Sequence, residues 1–293
     1  MKKVAIIKLV IITLLFHACS FNKSINKDLI TGAVTTGNDL SCDAVYMQIN
    51  GETIHRNTFI FGENVNFIFN DINGFKQENG KVYPEMSMVI IKKENQMVFS
   101  ELSLLNLTDG TSLSPLQLKA NFIAGFPYQN NEKYEVLLTI WDTKGDGKFT
   151  YKMPFKVQEN KLLTITSNNM KYSSIYLWNE TENKVVTDNK IVAKNKYSLL
   201  LEGIDGLIAE NKKVFPMLSI LLTDNKGNMI IADQNLYSKY ASGFDAITFS
   251  EKQLPITLTF KDGQFFNPYR LKVILKDEKS ENKLSILTNF TIE

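Results

Sequence analysis

Few residues in this 293-residue chain could do chemistry, and their spacing limits what that chemistry can be. The histidines are His17 and His55. His17 lies in an apolar leader, so a histidine-based triad would have to use His55, in the polar, turn-like stretch Gly51-Glu52-Thr53-Ile54-His55-Arg56-Asn57. No Gly-x-Ser-x-Gly elbow offers it a nucleophile, and His55 reads as a solvated loop residue. A His-Glu-x-x-His pattern, cysteine pairs at ligand spacing, a P-loop and a Gly-x-Gly-x-x-Gly turn are all missing, which argues against zinc hydrolases and nucleotide enzymes. The sharpest local pattern is Asp142-Thr143-Lys144-Gly145-Asp146-Gly147, with acids at alternate positions as in a calcium loop. Calcium needs several oxygen ligands and a distal bidentate acid, yet Lys144 takes a ligand position and no Glu follows at the required distance. The stretch reads as a solvated turn. A glycosidase pair needs two carboxylates about 5 to 9.5 Å apart, and no motif singles out two among the 31 acids. Trp178, Tyr176, Tyr128 and Phe126 lie near turns and could form a sugar platform, although Tyr176 and Trp178 at a spacing of two could equally face inward together. The sequence thus assigns no catalytic residue, metal ligand or cofactor, and leaves the binding residues unknown.

The elements that would have to position such residues are strands. Apolar or alternating runs rich in β-branched and aromatic residues occur at Val65–Phe69, Met86–Ile91, Tyr134–Ile140 and Phe149–Val157, and again at Tyr197–Leu201, Leu218–Thr223, Tyr269–Leu275 and Leu284–Ile292. Turn signals separate them at Asn73-Gly74, Asp109-Gly110, Asp205-Gly206, Asn225-Lys226-Gly227 and Asp262-Gly263. No long stretch beyond the leader keeps a 3.6-residue period, so the chain is expected to be all-β, with sheets packed face to face.

The same pattern occurs twice. Ile72–Ser87, INGFKQENGKVYPEMS, matches Ile204–Ser219, IDGLIAENKKVFPMLS, at eight of sixteen positions and an offset of 132 (206 minus 74). Tyr134–Val157 lies against Tyr269–Ile292 at an offset of 135 (269 minus 134), pairing Asp142 with Asp277. An internal duplication follows, with units 43–158 and 161–293. Gly74 and Gly206 are expected in equivalent turns, and Pro84 and Pro216 at equivalent strand starts. The segments Ser100–Phe122 and Asp233–Phe260 differ most between the copies, and loops are where sandwiches place function.

Residues 1–18 begin with Lys2 and Lys3, continue through an apolar run too short to span a membrane, and end in a small residue before Cys19. This is a signal peptide. Its ending, LLFHACS, resembles a bacterial lipoprotein box, which implies that Cys19 is lipidated with diacylglyceryl and N-acyl (palmitate-type) chains; the alternative is a plain secretory peptide with an incidental Cys. Removing residues 1–18 takes away three Lys and no acid, so 30 cations face 31 acids, a balance that argues against nucleic-acid binding. Cys42 then has no thiol partner for a disulfide and reads as a small apolar residue at a strand start. Residues 19–42, polar and small, are expected to be a flexible tether.

The lipobox, the tether and the paired Ile-Asn/Asp-Gly then Val-aromatic-Pro signatures together resemble Bacteroidota-type lipoproteins with tandem immunoglobulin-like domains. The antibody-type Cys and Trp spacing is absent. The resemblance implies two tandem immunoglobulin-like β-sandwich domains and a place in the bacterial envelope, and it transfers no catalytic or binding residue; by analogy with lipoprotein sorting the non-acidic Ser20 favours the outer membrane, on its periplasmic or cell-surface face. The expected protein is a non-enzymatic envelope lipoprotein acting as a binding or spacer module, with a protein or glycan ligand held away from the membrane. The competing expectations are an accessory glycan-binding lipoprotein and an adhesion or fimbria-like subunit.

Overall fold

The computed structural model describes residues 23–93, 96–261 and 263–293. The expected signal peptide, residues 1–18, and the expected lipidation site, Cys19, lie outside the described residues. In order, the first half carries β1 (Lys23–Lys27), β2 (Val34–Asn38), β3 (Ser41–Ile49), β4 (Glu52–Ile54), β5 (Thr58–Ile60) and β6 (Asn64–Asn73). It continues with β7 (Pro84–Lys92), β8 (Gln96–Glu101), β9 (Leu118–Ile123), β10 (Lys133–Asp142) and β11 (Lys148–Gln158). One sheet runs β1-β2-β11-β10-β7-β8, with β5 parallel to β11, and the other runs β4-β3-β6-β9.

The second half holds β12 (Thr164–Asn168), β13 (Ser174–Asn179), β14 (Lys184–Val185), β15 (Lys190–Ile191), β16 (Lys196–Glu202) and β17 (Lys213–Val214). After β18 (Pro216–Thr223), β19 (Met229–Asp233) and β20 (Phe244–Asp245) come the short helix α1 (Ala246–Glu251), β21 (Leu254–Thr259), β22 (Tyr269–Asp277) and β23 (Lys283–Ile292). Its sheets run β12-β23-β22-β18-β19, with β15 parallel to β23, and β14-β13-β16-β21. These two sheets repeat the order of the first half's two sheets without β1, and β17 and β20 form an additional two-stranded ladder where the first half has the single bridge Val82↔Thr111. The chain is all-β, and each expected strand lies within an observed one.

Alternation explains the packing. Along β10 the even-numbered residues Tyr134, Val136, Leu138 and Ile140 are buried, and along β22 the odd-numbered Tyr269, Leu271, Val273 and Leu275. In the first core, the Phe122 ring packs against those of Phe59, Phe67 and Phe155, and Phe59 also meets Phe155. In the second, Phe260, Tyr269 and Phe290 occupy the corresponding end of the sandwich.

The expectation of a flexible tether is corrected for residues 23–42. β1 pairs with β2 along its whole length, and β2 pairs with β11 from Lys148↔Asn38 to Lys152↔Val34. A hairpin at the sheet edge needs no continuous apolar face, which is why the polar β1 and the Thr-bearing β2 read as a linker. Gly37 is small because of crowding: a Cβ there would lie 2.4 Å from the Leu40 carbonyl oxygen.

Candidate functional site

The ordered hairpin creates a recess in the first half whose lining mixes polar and apolar groups. Between β1–β2 and β3 lies an open cleft of about 320 Å³, lined on the hairpin side by Asn26, Asp28, Thr31 and Thr35 and across from them by Cys42, Asp43, Tyr46 and His55, with Phe149 and Tyr151 also in its lining. The sequence places β1–β2 and β3 only a few residues apart, so the cleft arises from one local fold-back onto β11.

Asp28 fixes the hairpin turn. Its carboxylate accepts hydrogen bonds from the Thr31 hydroxyl (2.7 Å) and the Ile30 amide (2.8 Å), while the Asp28 amide donates to the Ala33 carbonyl (2.8 Å). The Thr31 hydroxyl first, then the Ile30 amide, holds its pKa below the ordinary 3.8, with a further contribution from His55 across the cleft. Cys42 behaves oppositely. Burial pushes its thiol up to about 11, and Sγ donates to the carbonyls of Ala44 and Asn70, both at 3.3 Å. A protonated thiol is a poor nucleophile. His55 is an exposed loop residue, as the sequence leads one to expect, and it also lines this cleft. The arrangement offers hydrogen-bond donors and acceptors to a ligand rather than an activated attacking group.

The calcium-like turn has another use. Asp142 is buried, not solvated, and accepts from the Lys76 amide (2.6 Å) and the Lys144 amide (2.9 Å), tying the β10–β11 turn to the loop after Gly74. Asp277 does the same with Ile208 (3.1 Å) and Lys279 (3.3 Å). Lys144 covers the Tyr83 ring and Lys279 the Phe215 ring. Both carboxylates are committed to backbone amides, and no group of three or more His, Cys, Asp or Glu among the described residues gathers as a metal site.

Gly74 and Gly206 have φ of 102° and 99°, and a Cβ on either would strike the carbonyl oxygen of Asp39 or Asn169. Pro84 opens β7 and Pro216 opens β18, so all four residues take the expected corresponding places. Beside these loops the halves carry matched recesses. The first, about 130 Å³, has polar walls that include Asn73, Gln77, Thr111 and Ser112. In the second, about 260 Å³, Asp205 stands where the first has Asn73 and Leu207 where it has Phe75, but Ala209 replaces Gln77, and α1 supplies a wall through Ala246, Ile247, Phe249 and Ser250. The divergent segments therefore do shape different surfaces.

The four aromatics considered as a platform do not come together. Tyr128 is core, edge-on to Phe122 and Tyr134. Tyr176 and Trp178 lie edge to face at 6.5 Å and pack against the first half's core, which makes them junction residues. Of the four, only Phe126 is substantially exposed, at 50%. At the same junction Glu202 accepts from the Phe126 amide (2.8 Å), the Ser174 hydroxyl, the Tyr176 hydroxyl (3.1 Å) and Gln253 (2.7 Å). Nothing in the sequence marked Glu202, because its partners lie 26 to 76 residues away.

No protein-family model matches the chain, and no curated protein matches it in sequence. Among solved structures it is similar to one described as pT26-6p, with 10% identity, a TM-score of 0.26, and 92% of this chain aligned to 65% of that one. A DUF3823 family protein from Bacteroides ovatus aligns at 12% identity and a TM-score of 0.20, over 75% of this chain and 93% of that one. A structure described as a carbohydrate-binding module of the β-sandwich superfamily aligns at 13% identity and a TM-score of 0.21, over 85% and 94%. At such scores none of these likenesses carries an argument about function.

Proposed function

We propose that the mature chain is a non-enzymatic lipoprotein of the outer membrane, anchored through Cys19, that binds a ligand in the cleft between the N-terminal hairpin and β3. The observation that carries this reading is the cleft itself, whose carboxylate, hydroxyl and imidazole groups suit hydrogen-bonding to a polyhydroxylated ligand such as a glycan, while its one thiol is held protonated. Two acyl chains suffice for stable anchoring, since each buried methylene contributes about 0.8 kcal/mol.

Two measurements test it. Cys19→Ala should abolish metabolic labelling with palmitate and release the protein from the membrane fraction; retention in that fraction overturns the anchor. A photo-reactive residue at Thr35 or Tyr46 should give an adduct in cells, and free glycan should suppress it. Turnover of a glycan, ester or peptide that a His55 substitution abolishes would overturn the non-enzymatic reading.

A further inference from the structure

If Cys19 is lipidated, only Ser20, Phe21 and Asn22 separate it from β1. Four Cα steps reach at most about 14 Å, so the first strand begins close to the bilayer instead of standing off on a long tether. β1 is the outer edge of its sheet and exposed along its whole length. One pleat face presents Lys23, Ile25 and Lys27, and the turn that follows presents Leu29 and Ile30. Ile25, Leu29 and Ile30 are 65%, 88% and 73% exposed, and Leu29 and Ile30 are adjacent in sequence. The Asp28 turn holds them there: with the Ile30 amide and the Thr31 hydroxyl both bonded to the Asp28 carboxylate, and Gly32 donating to the Asp28 carbonyl, the two apolar side chains stay at the tip.

We propose that this hairpin seats the first half on the membrane that holds the lipid, with Leu29 and Ile30 in the headgroup–acyl boundary and Lys23 and Lys27 against anionic headgroups. The proposal rests on the Cys19 anchor proposed above. Apolar side chains beside cations on a short anchored element are what interfacial binding requires. The cleft behind the hairpin would then open near the bilayer surface.

The test uses the full lipidated chain, carrying Cys42→Ala, in vesicles of phosphatidylethanolamine and phosphatidylglycerol. An environment-sensitive fluorophore is attached at Leu29→Cys or, as a control on the opposite edge strand, at Met97→Cys, whose parent residue is also exposed. The expected result is several-fold stronger quenching by chain-brominated lipids at position 29 than at position 97, lost in a variant with Ile30→Asp and Ile25→Asp. Equal quenching at the two positions overturns the proposal. So does a probe at 29 that is shielded from water but not quenched by lipid and that crosslinks to a second copy or another protein. Intact mass, measured on the same sample, reports acylation separately: a chain without acyl groups defeats the anchor, whereas an acylated chain with an unquenched hairpin defeats only the seating.

Discussion

The two halves of the chain share a strand order and a pair of structural locks, and they differ at the surfaces around them. Asp142 and Asp277 each tie a hairpin turn to the loop that follows a glycine forced into positive φ. Around this common frame the first half adds β1 and the cleft behind it, and the second half adds α1 with the ring cluster of Tyr237, Phe244 and Phe249. The outer face of the β3/β6 pair also diverges. Where the first half has Ala44 and Asn70 opposite each other, the second has Ser174 and Glu202, and this is where the first half's Gly125–Phe126 loop docks. Positions that hold the sandwich together are repeated, whereas those that face another surface are not.

The sharpest way to break the shared frame is at its glycines. In Gly74→Ala the new Cβ would lie 2.0 Å from the Asp39 carbonyl oxygen, and in Gly206→Ala it would lie 2.4 Å from that of Asn169. With φ near +100° adding backbone strain, each substitution is expected to cost about 3 kcal/mol or more. Calorimetry on the two single variants should give similar losses. A severe effect in one half and a mild one in the other would show that the loops are not equivalent in energy.

This frame was the legible part of the sequence. Alternating apolar residues located the strands, because burial on one face of a pleated strand imposes a period that survives in a single sequence, and the Ile-Asn/Asp-Gly and Pro positions located corresponding turns and strand starts in the two halves. The cleft was not legible. β1 and β2 are an edge hairpin rich in Lys, Ser, Thr and Gly, with little buried face to impose a period, so they read as a linker although β2 pairs with β11 and β1 with β2. Asp142 misled for a related reason: its amide partner Lys76 is 66 residues away, so local spacing showed an acid in a turn and not what it bonds.

A middle-sized effect should separate the halves at their junction. Glu202→Ala leaves the buried Ser174 and Tyr176 hydroxyls and the half-buried Phe126 amide without their acceptor, and is expected to cost about 2 to 3 kcal/mol. Asn70→Ala, at the corresponding place in the first half, removes an exposed bond from Gln117 and should stay within about 0.5 kcal/mol. Hydrogen exchange should report the first change as faster exchange at Phe126 and its neighbours. Equal costs for the two variants would mean that Glu202 does not hold the junction.

The smallest effect concerns the turns that lead into β2 and β12. In the first half the Asp28 carboxylate accepts the Ile30 amide; in the second the Asn160 side-chain oxygen accepts the Leu162 amide at 3.0 Å. The geometry is similar, but only the aspartate titrates. Folding lowers the Asp28 pKa below 3.8, chiefly through the Thr31 hydroxyl, so on acidification the unfolded chain takes up the proton more readily than the folded one. The stabilisation from this carboxylate is therefore fully present above 3.8 and is lost as the pH falls through the lower folded value. Exchange at Ile30 and Ala33, after correction for the intrinsic effect of pH, should accelerate across that window while exchange at Leu162 and Leu163 does not. Asp28→Asn should make the first turn as indifferent to acid as the second. If both turns loosen together in the wild type and Asp28→Asn changes neither, the acid response belongs to the sandwich as a whole, and the carboxylate is not what fixes the hairpin tip.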